Sequence, residues 1–191
     1  PTYEGVISDI EGIAKVAHVH GIPLIVDSAH GAHLGFGGEF PQNAVRLGAD
    51  AVIESLHKTL PSFTQTALLH LNSDLISKSR IEKYLGIYET SSPSYILMAG
   101  MEVCIRTVKE HGAELFDNYR HELNKFYKNC EDLKRLHVMT GKDLSKEEAF
   151  AWDDSKIVIF DEATSSLDNN TEFKIQKNIN KYFDDQTIIC I

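Results

Sequence analysis

Cysteine is scarce in this sequence and long apolar runs are missing, and both absences narrow the class of protein. Among 191 residues there are only 3 cysteines. Cys104, Cys130 and Cys190 stand far apart and form no C-x-x-C pair, so we expect reduced thiols in a cytoplasmic protein. No apolar run reaches the roughly 18 residues that a membrane-spanning helix needs. The first residues lack the basic and then apolar pattern of a signal peptide. They also lack Met, so we expect the chain to begin inside a longer protein.

Basic side chains are outnumbered by acidic ones. Lysine and arginine number 19 and aspartate and glutamate 28, which gives a net charge of −9. No basic stripe is present, so binding to nucleic acid or to an anionic membrane is disfavoured. Hydrophobic residues make up 42% and charged residues 25% of the chain, values typical of a globular protein of about one domain.

The first half of the chain alternates between helical and strand patterns. Ser8 and Glu11 have the spacing of a capping box, and Gly21 is typical of a helix end. The patterns predict a helix at 10–20, a strand at 22–26, a short helix at 41–47, strands at 51–53 and 66–71, and helices between 73 and 129. This order predicts an α/β fold with a mainly parallel sheet.

Two of the predicted strands end in polar residues. Asp27-Ser28-Ala29-His30 follows one strand and Ser55-Leu56-His57-Lys58 follows the next. Ligands of open α/β sheets bind beyond the carboxyl ends of the strands. A lysine beside a carboxylate suits pyridoxal phosphate, because the lysine forms a Schiff base and the carboxylate keeps the pyridine nitrogen protonated. Ser55 and His57 are candidates for binding the phosphate.

These segments carry a family resemblance. The stretch Ser55-x-His57-Lys58-Thr59-Leu60-Pro61-Ser62 resembles the pyridoxal-phosphate attachment signature of the ornithine/lysine/arginine decarboxylases, which are fold-type-I enzymes. The stretch from Asp27 to His33 is similar to that family's D-E-A-H-G-A-H segment, with Ser28 in place of the Glu. Pro1 to Gly5 and Thr90 to Tyr95 also look like it, so the resemblance covers about residues 1–140.

The resemblance implies a fold, an activity and residue roles. The fold is part of an aspartate aminotransferase-like large domain, and the activity is decarboxylation of a basic amino acid, a lyase reaction of amino-acid and polyamine metabolism. Lys58 forms the Schiff base and moves a proton, Asp27 pairs with the pyridinium, and Ala29 packs on the ring. His30 lies beside the cofactor, and Ser55 and His57 lie at the phosphate.

The resemblance also bears on partners and completeness. Family members build their site at a dimer interface, so we expect a homodimer or larger oligomer in the complete enzyme, with Thr90 to Ser94 reaching the partner's cofactor. The family's phosphate-binding loop and its smaller C-terminal domain have no counterpart in this sequence. We therefore expect the site to be incomplete in this chain.

The last part of the chain has a different character. Ile157 to Asp168, read as IVIFDEATSSLD, resembles the Walker B and D-loop segments of ABC transporter ATPases, and the resemblance covers about residues 155–191. It implies a short βαβ fragment of a P-loop NTPase, with Asp161 at magnesium, Glu162 activating water, and Asp168 in the D-loop. The G-x-x-x-x-G-K-[ST] loop and the L-S-G-G-Q signature are missing, so we do not expect ATP or Mg²⁺ to bind.

The sequence thus leaves three hypotheses. We predict a decarboxylase segment at 1–140, a junction at 141–154 and an ATPase-like segment at 155–191. The leading function is pyridoxal-phosphate-dependent decarboxylation. The alternatives are a nucleotide-binding fragment of a transporter and a non-functional fusion or truncated product. A metal site among His18, His20, His30 and His33 is not expected, because no Cys or Glu completes a ligand set.

Overall fold

The structure is a computed structural model that describes residues 1–37, 39–133, 138–144 and 149–157. The elements follow in this order: β1 (Val6–Ile7), α1 (Ile10–Val19), β2 (Ile25–Asp27), β3 (Ala51–Ser55), α2 (Leu56–Thr59), β4 (Ala67–Leu71), α3 (Lys78–Tyr88), α4 (Tyr95–Cys130), a 3₁₀ turn (Gly141–Asp143) and β5 (Ala151–Trp152). Helices and strands mix along the chain, as an α/β fold requires.

The cap of helix α1 lies one residue later than predicted. Asp9 is the N-cap, and its side chain accepts a hydrogen bond from the Gly12 amide at 2.9 Å. The predicted capping box of Ser8 with Glu11 is therefore wrong, because the neighbouring carboxylate takes the capping position. The predicted end is confirmed, since the helix stops at Val19 and Gly21 adopts a φ of 66°.

A three-stranded sheet in the order β2-β3-β4 carries the central part of the fold. Strands β2 and β3 are parallel, with Asp27 opposite Ile53, whereas β4 runs antiparallel to β3. The prediction of a mainly parallel sheet therefore holds for one of these two pairings. The small core beside the sheet contains Val52, which is fully buried together with Ala49.

Two predicted elements differ from the structure. Residues 41–47 form no helix: residues 41–43 have no regular structure and residues 44–48 form turns. The Asn43 side chain caps this single turn by accepting a hydrogen bond from the Val45 amide at 2.9 Å, and Gly48, with a φ of 95°, ends it. The apolar run at 22–26 predicts a buried strand, but β2 is not buried, since Ile25 is 58% exposed. Among the described strands, β2 lies at the edge of the sheet.

Helix α4 contacts the rest of the chain along one stripe. Its four buried residues, Cys104, Val108, Gly112 and Leu123, recur at helical spacings. Further along the same stripe, Phe116 stacks on Phe36 with ring centroids 5.9 Å apart. The apolar spacing of this helix predicts that Cys104 is in the core, and its 1% exposure confirms it.

Residues 149–157 pack against the first part of the chain. Ala151–Trp152 pairs antiparallel with Val6–Ile7, and Asp153 is fully buried. Part of the range that we predicted as a junction is thus built into the same packed unit as β1. The boundaries of the three predicted segments remain predictions.

A candidate pyridoxal-phosphate site at the strand ends

The carboxyl ends of β2 and β3 lie side by side. The Ser28 amide donates a hydrogen bond to the Ile53 carbonyl at 2.8 Å, which extends the parallel pairing into the loop after Asp27. Strand β3 passes directly into the single turn of α2, whose third residue is Lys58. The two segments singled out in the sequence therefore start from neighbouring positions at one edge of the sheet.

A cavity of about 380 Å³ opens at this edge. Four predicted site residues line it, namely Asp27, Ala29, His30 and Lys58. Apolar side chains from the start of the chain and from β2 form other parts of its wall, including Ile7, Ile10 and Val26. An amine, a carboxylate and an imidazole therefore share one concave and partly apolar space, which is typical of a small-molecule site.

Lys58 and His30 are in direct contact in this cavity. The Lys58 ammonium lies 3.1 Å from His30 Nε2, a distance at which Nζ donates to a neutral imidazole. Burial and the charges of Lys58 and Lys156 lower the pKa of His30, which favours the neutral ring that accepts this hydrogen bond. His30 also packs edge-on against Tyr3, with centroids 5.2 Å apart.

The loop that carries Asp27 is held by short-range contacts. Asp27 Oδ1 accepts a hydrogen bond from the Ala29 amide at 3.0 Å. Gly31 follows at a point where a Cβ atom would lie 2.4 Å from Ser28 Oγ and 2.5 Å from the Pro1 ring. Only glycine fits there without displacement, so the tight turn of the loop depends on it.

Two predicted site residues lie elsewhere. Ser55 and His57 are not among the residues that line the Lys58 cavity. His57 Nδ1 lies within hydrogen-bonding distance, 3.0 Å, of the carbonyl oxygen of Thr66, the residue before β4. Ser55 caps α2 without a side-chain hydrogen bond from the helix. Their expected place at a phosphate stays a prediction, as do the roles of the four residues in the cavity. Thr90 to Ser94 are exposed and line neither this cavity nor the one described next.

A buried contact between His33 and Asp153 was not found from the sequence. His33 Nε2 lies 3.1 Å from Asp153 Oδ2 and 3.2 Å from Ser155 Oγ, and both members of the pair are at most 3% exposed. Burial alone would raise the pKa of Asp153, but the contacts with His33 and Ser155 outweigh it and lower that pKa. The pair ties residues 153–155 to the loop that carries Asp27 and His30. Because these two residues lie 120 positions apart, no local sequence pattern predicts their contact.

The structure does not describe every residue singled out in the sequence. Asp161, Glu162 and Asp168 lie outside the described residues. Within the described ranges, no group of three or more His, Cys, Asp and Glu side chains could hold a metal ion. No helix among the described residues is long and apolar enough to cross a membrane.

Comparisons with known proteins give relatives for most of the chain. The sequence profile of the Orn/Lys/Arg decarboxylase major domain matches residues 1–175. An arginine decarboxylase of Bacillus subtilis is 29% identical over all of this chain, which covers 40% of that protein. An arginine decarboxylase of Bacillus anthracis is 31% identical over 83% of this chain and 32% of its own length. The uncharacterized protein YaaO of Bacillus subtilis is 47% identical over 54% of this chain and 22% of its own length.

These matches bear on both resemblances. The chain spans less than half the length of the relatives it matches. The decarboxylase profile runs past the predicted junction into the ATPase-like segment, and the comparisons give the resemblance to ABC transporter ATPases no support. A profile match over most of its residues shows that this chain belongs to the Orn/Lys/Arg decarboxylase family, in that family's major domain.

Proposed function

We propose that this chain carries the lysine and aspartate of a pyridoxal-phosphate site that decarboxylates a basic amino acid. The observation that supports the proposal most directly is the shared cavity of Asp27, Ala29, His30 and Lys58. The residues fit the cofactor chemically, since an amine for its aldehyde and a carboxylate for its ring nitrogen face one space. The family match and the arginine decarboxylase relatives support the same reaction class.

Each residue then has a defined task. Pyridoxal phosphate supplies an electron sink for the electron pair that remains when the substrate's α-carboxylate leaves as CO₂. Asp27 would accept a hydrogen bond from the protonated pyridine nitrogen and so keep that proton in place. Ala29, with its small side chain, would leave room for the ring. Lys58 Nζ would hold the cofactor and later deliver a proton to Cα, with His30 as the nearby imidazole that accepts from Nζ.

The substrate and the assembly belong to the same proposal. Two of the arginine decarboxylase relatives align with more than four fifths of this chain, so a basic amino acid is the substrate class to test. We propose further that the complete enzyme works as a homodimer or larger oligomer, in which Thr90 to Ser94 reach the partner's cofactor. The exposure of these five residues is compatible with that role.

The first experiment traps the cofactor on the chain. The purified chain is mixed with pyridoxal phosphate and reduced with borohydride, and the modified lysines are mapped by mass spectrometry. We expect one dominant label on Lys58, its loss in Lys58→Ala, and labelling weakened by about tenfold in Asp27→Ala, because the ring nitrogen loses its counter-charge. Lys78→Ala and Asp74→Ala are matched controls, since both residues are exposed.

Two outcomes would contradict the proposal. Even labelling across many lysines would show that the strand-end cavity does not select the cofactor. Labelling of Lys58 without CO₂ release from arginine, lysine or ornithine would restrict this chain to cofactor binding.

The nucleotide-binding alternative is not proposed. Its residues Asp161, Glu162 and Asp168 lie outside the described ranges, and the comparisons do not support an ABC ATPase. Nothing else in the described residues favours it.

A further inference from the structure

A second cavity of about 490 Å³ shares Lys58 with the first. Its polar lining contains Lys58, Thr59, Ser155, Lys156 and His33. Its apolar wall comes from α4. We call it the Lys156 cavity. The proposed decarboxylation does not use this cavity.

The apolar wall is continuous. It is formed by Val108, Leu115 and Phe116 of α4, with Leu60 and Pro61 beside them. Val108 is buried and Leu115 is 49% exposed, so the wall runs from the interior to the mouth of the cavity. A ligand in this space contacts hydrocarbon on one side and polar groups on the other.

The positive charge of Lys156 is poorly compensated by nearby carboxylates. Its side chain is 15% exposed. Among the described residues, the carboxylate oxygen nearest to its Nζ is Asp153 Oδ2, at 4.0 Å. That oxygen lies closer, at 3.1 Å, to His33. Burial lowers the pKa of Lys156, as expected for an ammonium group that its surroundings solvate poorly. No Asp or Glu among the described residues lines the cavity.

Two further polar atoms on the cavity's residues have no partner. His33 Nδ1 and Thr59 Oγ1 are buried and make no hydrogen bond within the described part of the chain. His33 is 2% exposed. Both atoms are closed to solvent in the structure, so the polar group that bears on a ligand in the cavity is the Lys156 side chain, which is 15% exposed.

We propose that the Lys156 cavity binds a monocarboxylate with an apolar body, whose carboxylate pairs with Lys156 and whose body lies against Val108, Leu115 and Phe116. Lys58 also lines the cavity, but its ammonium already contacts His30 Nε2 at 3.1 Å, so Lys156 is left to pair with one negative charge, and the apolar wall gives a phosphate no donors. A basic side chain finds no carboxylate in the lining. The binding cation is Lys156, so the proposal does not depend on the cofactor at Lys58.

The test uses the full chain without cofactor and the probe 4-fluorobenzoate, followed by ¹⁹F NMR. We expect saturable binding that weakens about tenfold in Lys156→Met and is retained in Lys156→Arg. Methionine keeps the apolar stem of the lysine and removes only the charge, so the fold should survive. Lys109→Met, at an exposed lysine of α4, is the matched control and should bind like the parent.

A second variant and a second probe keep the test decisive. Leu115→Glu places a carboxylate at the mouth of the cavity, which repels the carboxylate of the probe. We expect it to weaken binding at least as much as Lys156→Met, and it tests the proposal even if Lys156→Met does not fold. Equal binding of 4-fluorobenzylamine, or unchanged binding in both cavity variants, would overturn the proposal. Competition by L-norleucine would identify an amino acid as the source of the carboxylate, and its absence would identify a free acid. Because the readout needs no cofactor, this proposal and the one for Lys58 can fail separately.

Discussion

The strand-end region and the helical region of this chain bury their apolar residues very differently. In the strand-end region, Val52 and Ala49 are fully buried and Leu56 is 2% exposed. Helix α3 has no buried residue, and Ile96 and Tyr95 at the start of α4 are 73% and 80% exposed. The candidate site thus lies in the strand-end region, which contains these buried residues.

The difference has a physical consequence for function. Side chains that perform chemistry must be held by well-packed neighbours, because small displacements of reacting groups are costly. Lys58 follows the buried Leu56, and Asp27 is paired in register with Ile53. The helical region buries its side chains mainly along the single stripe of α4. Substitutions in the two regions should therefore differ in their effect on the free energy of unfolding.

The largest loss is expected from Asp153→Ala. The substitution removes the carboxylate that lies 3.1 Å from His33 Nε2 and accepts a hydrogen bond from the Ser155 amide at 3.1 Å, and each buried group left unsatisfied costs about 1–3 kcal/mol. Urea unfolding measures the loss, and exposed Asp132→Ala is the control. In the double variant with His33→Ala the two losses should be less than additive, and full additivity would contradict the pairing.

Val52→Ala should cost somewhat less, about 2 kcal/mol. The substitution removes two methyl groups from a fully buried position beside Ala44 and Ala49, and it leaves a cavity that the small neighbours cannot fill. The measurement is the urea midpoint at a constant slope. A change below about 0.5 kcal/mol would mean that the strand-end core is loosely packed, which would remove the contrast between the regions.

The sequence predicts the site better than it predicts the connections around it. The apolar runs before Asp27 and Ser55 mark where strands end, so the meeting of Asp27 and Lys58 at one cavity follows from parallel strands. The direction of β4 is not encoded in its apolar pattern. The pairing of His33 with Asp153 depends on chain folding over 120 residues, which residue spacing cannot reveal.

Local errors have local causes. The helix predicted at 41–47 has the apolar spacing of a short helix, yet the turn that Asn43 caps ends at Gly48, which leaves too few residues for a helix. At the start of α1 two adjacent residues are both good caps, and the structure uses Asp9 instead of Ser8. The positions of strands are thus predicted more reliably here than a single boundary residue or the burial of β2, where Ile25 is 58% exposed.

A smaller effect with a clear sign is expected at His70. Its hydrogen bond to Glu54, at 3.0 Å between Nε2 and Oε2, raises the pKa of His70 above its usual 6.5, against the opposing effect of burial. Protonated His70 therefore stabilises the fold below about pH 6.5, and the contribution is lost as the pH rises through the raised pKa. Because the side chain is 37% exposed, we expect His70→Gln to cost less than about 1 kcal/mol at pH 5.5 and almost nothing at pH 8.5.

The control for His70 is exposed His111, for which His111→Gln should leave the pH profile unchanged. The measurement is the free energy of unfolding from urea titrations across pH 5 to 9. A parallel shift of the His70→Gln profile at all pH values would show that the ring contributes packing alone.

The smallest effect is expected from Val103→Ala, the same chemical change as at Val52 but in the helical region. Val103 is 48% exposed on α4, so the lost methyl groups give up only part of the contact that Val52 makes. Alanine is also a better helix former than valine by a few tenths of a kcal/mol. The two contributions oppose each other, and the net change should stay within about 0.5 kcal/mol. A loss as large as that of Val52→Ala would mean that this face of α4 is packed in solution, and the contrast between the two regions would then reflect a contact that a second chain supplies.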